Sequence, residues 1–166
     1  MGGESCSSSS PTARKALVSL PPYEARGYQL SLIDTGAHRF FLRAQRVERD
    51  PGKDTAAWHL AGNVYAWHVS PSGETLETLQ GQEAHLYPHR NFFLIRTAVV
   101  LQTQEGLRLY TEYLEWHRNE NKLLAPNWVR LYTREEYLTG EGLEYDTQKR
   151  TYVLRRPRGQ MQAPTP

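Results

Sequence analysis

One cysteine, Cys6, is the chain's whole complement, which excludes an internal disulfide and a cysteine-built metal cluster and leaves cytoplasm and periplasm both open. Long apolar runs are missing as well. No stretch approaches the roughly 18 consecutive apolar residues of a membrane-crossing helix, and "MGGESCSSSSPTARK" has neither the hydrophobic segment nor the cleavage pattern of a secretory signal. An excess of one charge is absent too: 20 Lys and Arg stand against 18 Asp and Glu, net +2, with the signs interspersed. That removes the electrostatic footprint of a duplex-binding protein, so nucleic acid is not expected as a partner. The groupings that catalysis needs are also wanting. There is no nucleophile elbow, no His–Cys pair and no convergent carboxylate pair, and no two histidines have metal-ligand spacing beside a Cys or Asp. No enzyme, metal or cofactor is therefore expected. His89 and His117, each opening an "HRN", read as solvated turn residues.

What the chain does contain is one domain's worth of residues, 166, of which 39% are hydrophobic, with 10 Tyr and 4 Trp recurring beside Val, Leu and Thr. That mixture suits pleated, half-buried surfaces and leans toward an all-β protein. The Ser run and Pro11 near the start cannot bury enough apolar area to offset ordering entropy. Residues 1–22 are therefore expected to be a flexible tether, 23–160 a single β domain, and 161–166 a disordered tail.

"LYTEYLEWHRN", residues 109–119, fits a helix by its spacing of Leu109, Tyr113 and Trp116, yet also fits two short strand runs whose parity slips once. A repeat decides between them. "LRAQRVER" from Leu42, "LQGQEAHL" from Leu79, "LYTEYLEW" from Leu109 and "LTGEGLEY" from Leu138 all match Leu-x-small-x-x-apolar-x-x. Such self-similarity means one supersecondary unit used repeatedly, each copy too small to bury its own apolar face. The small position is Ala44, Gly81, Thr111 or Gly140, and the last copy adds Gly142, a composition poorly suited to helix interiors. The strand reading follows, with an irregularity near residues 112–113, where an extra residue in a bulge resets the parity so that both halves face one interior.

Each copy leads through a turn signal into a second apolar strand: "DPGKD" into "AWHLAGNVYAWHV", "YPHRN" into "FFLIRTAVVLQT", "HRNENK" into "LLAPNWVRLYT" and "DTQK" into "RTYVLRRPRG". Ahead of them "GYQLSLID" and "HRFFLRAQ" flank the turn "TGA". The result is about ten antiparallel, sequentially adjacent strands, suiting a sandwich, barrel or stacked jelly roll. Alternation assigns Leu30, Leu32, Leu42, Leu60, Val64, Leu86, Ile95, Val99, Leu101, Leu114, Trp116, Val129 and Leu143 to one apolar inner face, with Arg96 and Gln102 outside. Glu112, Glu115, Glu141 and Glu144 fall on the exposed face. Lys149, Arg150, Arg155, Arg156 and Arg158 form the densest basic cluster, read as charges that discourage uncontrolled pairing of a terminal strand.

"LRLYTEYLEWHRNENKLLAPNWVRLYT" followed by "YLTGEGLEYDTQKRTYVLRRPRG", with "LAGNVYAW" before them, resembles the LptC-type periplasmic proteins of lipopolysaccharide export and, in its Gly-Asn-Val strand, their LptA partners. The likeness runs over residues 27–160. It implies a twisted, partly open antiparallel β-jellyroll stack built from repeated strand pairs, whose inner face carries lipopolysaccharide acyl chains. It also implies a periplasmic location with an inner-membrane anchor, and transfer of lipid from an inner-membrane ABC transporter to an LptA-like bridge. Modules of this kind join by strand pairing, so Tyr28 to Ile33 is expected to dock toward the transporter and Thr151, Val153 and Arg155 toward the bridge. The other reading of the same strands is a structural adaptor with a sealed core and no lipid.

Overall fold

The computed structural model describes residues 17–18, 28–33, 38–49 and 57–160. In chain order its strands are β1 (Leu17–Val18), β2 (Tyr28–Ile33), β3 (Arg39–Ala44), β4 (Arg46–Arg49), β5 (Trp58–Val69), β6 (Thr75–Tyr87) and β7 (Phe92–Thr103). These are followed by β8 (Arg108–His117), β9 (Lys122–Ala125), β10 (Val129–Tyr132), β11 (Tyr137–Gly140), β12 (Leu143–Asp146), β13 (Thr151–Leu154) and β14 (Arg158–Gln160). Helix among the described residues is confined to two 3-10 turns, Pro88–Arg90 and Arg118–Glu120. The ambiguous stretch at 109–116 is extended, within β8. The all-β expectation holds, but the described residues form 14 strands where about ten were expected, because several strands read as continuous are broken at a bend. The turns "DPGKD" and "TGA" lie outside the described residues, as do 161–166 and all of 1–22 except Leu17–Val18. Those two residues, inside the expected tether, pair with Ser31 and Leu30 and so meet backbone hydrogen-bonding needs of β2.

All pairing is antiparallel, and it resolves into two layers that share four long strands. One layer runs β1, β2, β3, the second half of β5, the first half of β6, the second half of β7, the first half of β8, then β10, β11 and β14. The other runs β4, the first half of β5, the second half of β6, the first half of β7, the second half of β8, then β9, β12 and β13. A seam of irregularities joins them. On β6 and β8 the inward residues step by three across it, Gly81 to Ala84 and Thr111 to Leu114. On β5 and β7 they step by four, Leu60 to Val64 and Ile95 to Val99.

The extra residue is accommodated by paired left-handed conformations, Gly62 (φ 84°) with Asn63 (φ 48°) and Thr97 (φ 74°) with Ala98 (φ 54°). The expected irregularity does fall opposite Glu112, where register shifts between Arg96 and Val99. Its extra residue, however, belongs to β7. A strand that bulges must shift against a partner that does not, so the fault is shared across the pair and only one side carries the surplus.

The repeat's small residue sits at this seam because the layers approach closely there. A Cβ built on Gly81 would lie 2.6 Å from Cγ1 of Ile95. Beyond the seam the two inner faces meet. Phe40 of one layer packs edge-on to Phe93 and Trp116 of the other, with ring centroids 5.7 and 4.6 Å apart, contacts worth about 0.5–1.5 kcal/mol each beyond their burial. The two 3-10 turns also repeat. Each ends on a left-handed Asn, Asn91 or Asn121, whose carbonyl accepts the next turn's backbone N–H, from Arg118 (3.0 Å) and Thr147 (2.9 Å).

Candidate functional site

Every inner-face residue whose side chain is described faces the same interior. Leu42, Leu60, Val64, Leu86, Ile95, Val99, Leu101, Leu114, Trp116, Val129 and Leu143 all belong to one core cluster, with no more than 4% of any of them exposed. Leu30 and Leu32 lie on β2, whose backbone pairs with β3 through Leu30↔Leu42 and Leu32↔Phe40; their side chains are outside the described residues. Arg96 and Gln102 are exposed as expected. The inner face is a closed core, with the two layers in contact across it.

The layers are joined along the seam by four shared strands, and on the side opposite no strand of the described residues passes between them. There the last inward row of the first layer turns polar, running Phe40, His68, Glu77 and Thr103 across β3, β5, β6 and β7. His68 Nδ1 is 2.7 Å from Glu77 Oε1, and its Nε2 is 2.9 Å from His38 Nδ1. The Glu77 side chain has no solvent exposure, so its charge requires partners. The second comes from the other layer. Arg150 donates through Nη1 to Glu77 Oε2 (2.5 Å), through Nε and Nη2 to the two oxygens of Glu105 (2.6 and 2.7 Å), and through Nη2 to the Leu76 carbonyl (3.3 Å). These bonds hold the Glu105 carboxyl below the usual carboxylate range. Among the ion pairs of the described residues, this cluster joins the far end of one layer to the far end of the other.

Local sequence aims Arg150. In the turn between β12 and β13 the Asp146 carboxylate accepts the backbone N–H of Gln148 (2.9 Å) and Lys149 (2.8 Å), and the Asp146 carbonyl accepts that of Arg150 (2.8 Å). Arg150 is thereby set at φ 61°, at the end of the turn facing the first layer. Thr147 and Gln148 of the same turn, with His38, His68, Arg118 and Asn121, form the polar side of a cavity of about 320 Å³ whose apolar side is Phe40 and Trp116. The sequence reading missed this mouth. By sequence Arg150 groups with its basic neighbours as an edge charge, and the structure separates it from them. Glu77 lies 73 positions from Arg150, and the one local hint was an acidic residue at an inward position of β6. Of the two turn histidines, His89 is exposed, whereas His117 is half-buried with Nε2 2.7 Å from Glu115 Oε1. Among the described residues no group of His, Cys, Asp and Glu is placed to hold a metal ion.

The edges differ from expectation. β2 is not outermost, since β1 covers Leu30 and Ser31, between Tyr28 and Ile33. β13 does have a side without a partner strand among the described residues, and Val153 is 65% exposed there. Arg155, expected on that edge, lies just past it: its backbone pairs with Gly142 and Glu141, N–H to O at 2.8 Å and O to N–H at 2.9 Å. The reason is the bulge at Glu141–Gly142, which draws the chain back across the seam toward β14. Alternation from the Arg155–Gly142 bond makes Val153↔Glu144 a hydrogen-bonded pair, so the N–H groups aimed at the open edge are those of Tyr152 and Leu154.

No helix of the described residues is long and apolar enough to cross a membrane. No family model matches the sequence, and no curated protein matches it. Among solved structures the fold is similar to LptH of Pseudomonas aeruginosa, the LptA-homologous periplasmic component of the lipopolysaccharide transport device, with a TM-score of 0.60 over 76% of this chain and 95% of that one at 15% identity. The architecture is that of the LptA-like antiparallel β-jellyroll, an unclosed stack whose strand edges do not meet.

Proposed function

We propose that this chain is a carrier and bridging component for lipopolysaccharide or a related lipid. In this reading it accepts the lipid from an inner-membrane ABC transporter and passes it to an LptA-like periplasmic protein, working in the periplasm while tethered to the inner membrane. The supporting observation is the inner face: a predominantly apolar lining between two layers joined along one side by a bulged seam and held on the other by the Arg150 clasp. Residues that stabilise the closed core would, with the layers parted, cover acyl chains at about 25 cal/mol per Å² of apolar surface removed from water. A photo-crosslinking side chain at Ile95, Val99, Trp116 or Val129 is expected to capture lipopolysaccharide, and one at Arg96 or Glu115 is not. Equal labelling of both sets would remove the inner face from the account.

The burial of that lining also supports the second reading, an adaptor whose core stays sealed. Native mass spectrometry of the purified protein separates the two, because only a carrier brings bound amphiphile with it.

Partner docking is assigned to the open side of β13, where an added strand would take the free N–H groups of Tyr152 and Leu154. Lysine on an edge strand opposes such pairing. Val153→Lys is expected to lower pull-down of an LptA-like partner at least fivefold, and Val153→Thr to leave it near wild type. Undiminished capture by a folded Val153→Lys protein would move the joint elsewhere.

A further inference from the structure

Resting on the carriage reading, we propose that Arg150 is the binding residue for the phosphate group of an incoming amphiphile, and that Glu105 holds that group's place in the closed molecule. The guanidinium divides its donors unequally. One nitrogen serves Glu77, while Nε and Nη2 form a two-point fork on Glu105, the arrangement in which arginine takes a phosphate. The two carboxylates also differ in what their release would cost. Glu77 is fully enclosed and cannot lose its cation without leaving a buried charge unpaired. Glu105 stands on the tip of the turn between β7 and β8 with 53% of its side chain exposed, so it can return to water at little cost. A phosphate that replaced Glu105 would keep the charge at Arg150 balanced and Glu77 paired.

The surroundings suit an amphiphile. On the other side of Glu77, its partner His68 lines a cavity of about 320 Å³ together with Thr147 and Gln148 of the Arg150 turn and the core residues Phe40 and Trp116. Nearby, in the field of Arg150 and Glu77, the Tyr145 hydroxyl is buried with no hydrogen-bond partner among the described residues, a donor that an added oxygen could accept. Displacing Glu105 also removes one of the two carboxylates that tie the layers together, so headgroup binding weakens the clasp while Glu77 keeps its cation.

The test is calorimetric titration of the full chain with dodecyl phosphate, dodecyl maltoside and inorganic phosphate, the detergents below micelle formation. Dodecyl phosphate is expected to bind at least tenfold more tightly than the maltoside. Glu105→Gln, which removes the competing charge, should tighten dodecyl phosphate at least threefold and leave the maltoside unchanged. Arg150→Lys keeps the charge that Glu77 needs but loses the fork, and should weaken dodecyl phosphate at least fivefold with no change for the maltoside. Equal binding of both detergents, indifferent to either substitution, would overturn the phosphate site and leave carriage standing. Binding of neither would overturn both. Inorganic phosphate binding as tightly as dodecyl phosphate would overturn the assignment to an amphiphile, making this a site for the free anion.

Discussion

Arg150→Ala is expected to destabilise the protein by about 3–5 kcal/mol, the cost of leaving a buried carboxylate without its cation. Glu77 has no exposure through which water could replace the guanidinium. His68 still donates to it at 2.7 Å, which favours the lower end of that range. Chemical denaturation monitored by circular dichroism would measure the loss, and adding Glu77→Gln should restore part of it, because the surviving group is then neutral. A loss below about 1 kcal/mol, typical of exposed ion pairs, would show that the clasp contributes little to closure. The same comparison bears on carriage: a protein that needs its layers to part should gain binding of an apolar dye when the clasp is removed, while a sealed adaptor should either stay closed or unfold.

Gly140→Val is expected to cost about 2–3 kcal/mol and to loosen the C-terminal strands specifically. A Cβ at this position would lie 2.8 Å from the Arg155 carbonyl oxygen as well as against Leu154. The Leu154 side chain can turn aside, but the carbonyl belongs to the segment bending from β13 into β14 and accepts the Glu141 N–H. Relief therefore means moving backbone. Hydrogen exchange should show protection lost in β13 and β14 before β6 or β7. Gly81→Val is the contrasting case, since its two nearest contacts are side-chain atoms of Ile95 and the closest backbone atom, the Arg96 carbonyl oxygen, is farther off at 3.1 Å, so its effect should be smaller and confined to the core. Equal costs with no regional difference in exchange would mean that the small position of the repeat reflects volume alone.

Much of the fold is legible from short-range pattern because strand periodicity is local. The four Leu-x-small-x-x-apolar copies fall where strands meet the seam, and Leu42, Leu79 and Leu109 are each buried just before it. The parity slip in "LYTEYLEW" is real: Thr111 and Leu114 are both inward. Less legible was which strand of each pair would carry the bulge. A left-handed pair at Gly62–Asn63 has the residue types that tolerate it, but Thr97–Ala98 does not announce itself, and tertiary register imposes that conformation.

By itself the sequence determined the strand class, the inward set from Leu42 to Leu143, the repeat, and the turns at Asn91 and Asn121, since each depends on residues within a few positions of one another. Only the tertiary structure decided that the inward set closes into a core between two layers, that β1 covers part of β2, that Arg155 leaves the edge, and that Arg150 crosses to Glu77 and Glu105. Those outcomes depend on which distant strands become neighbours. A buried carboxylate takes its partner from whatever charge the fold carries to it, and spacing along the chain holds no record of that encounter.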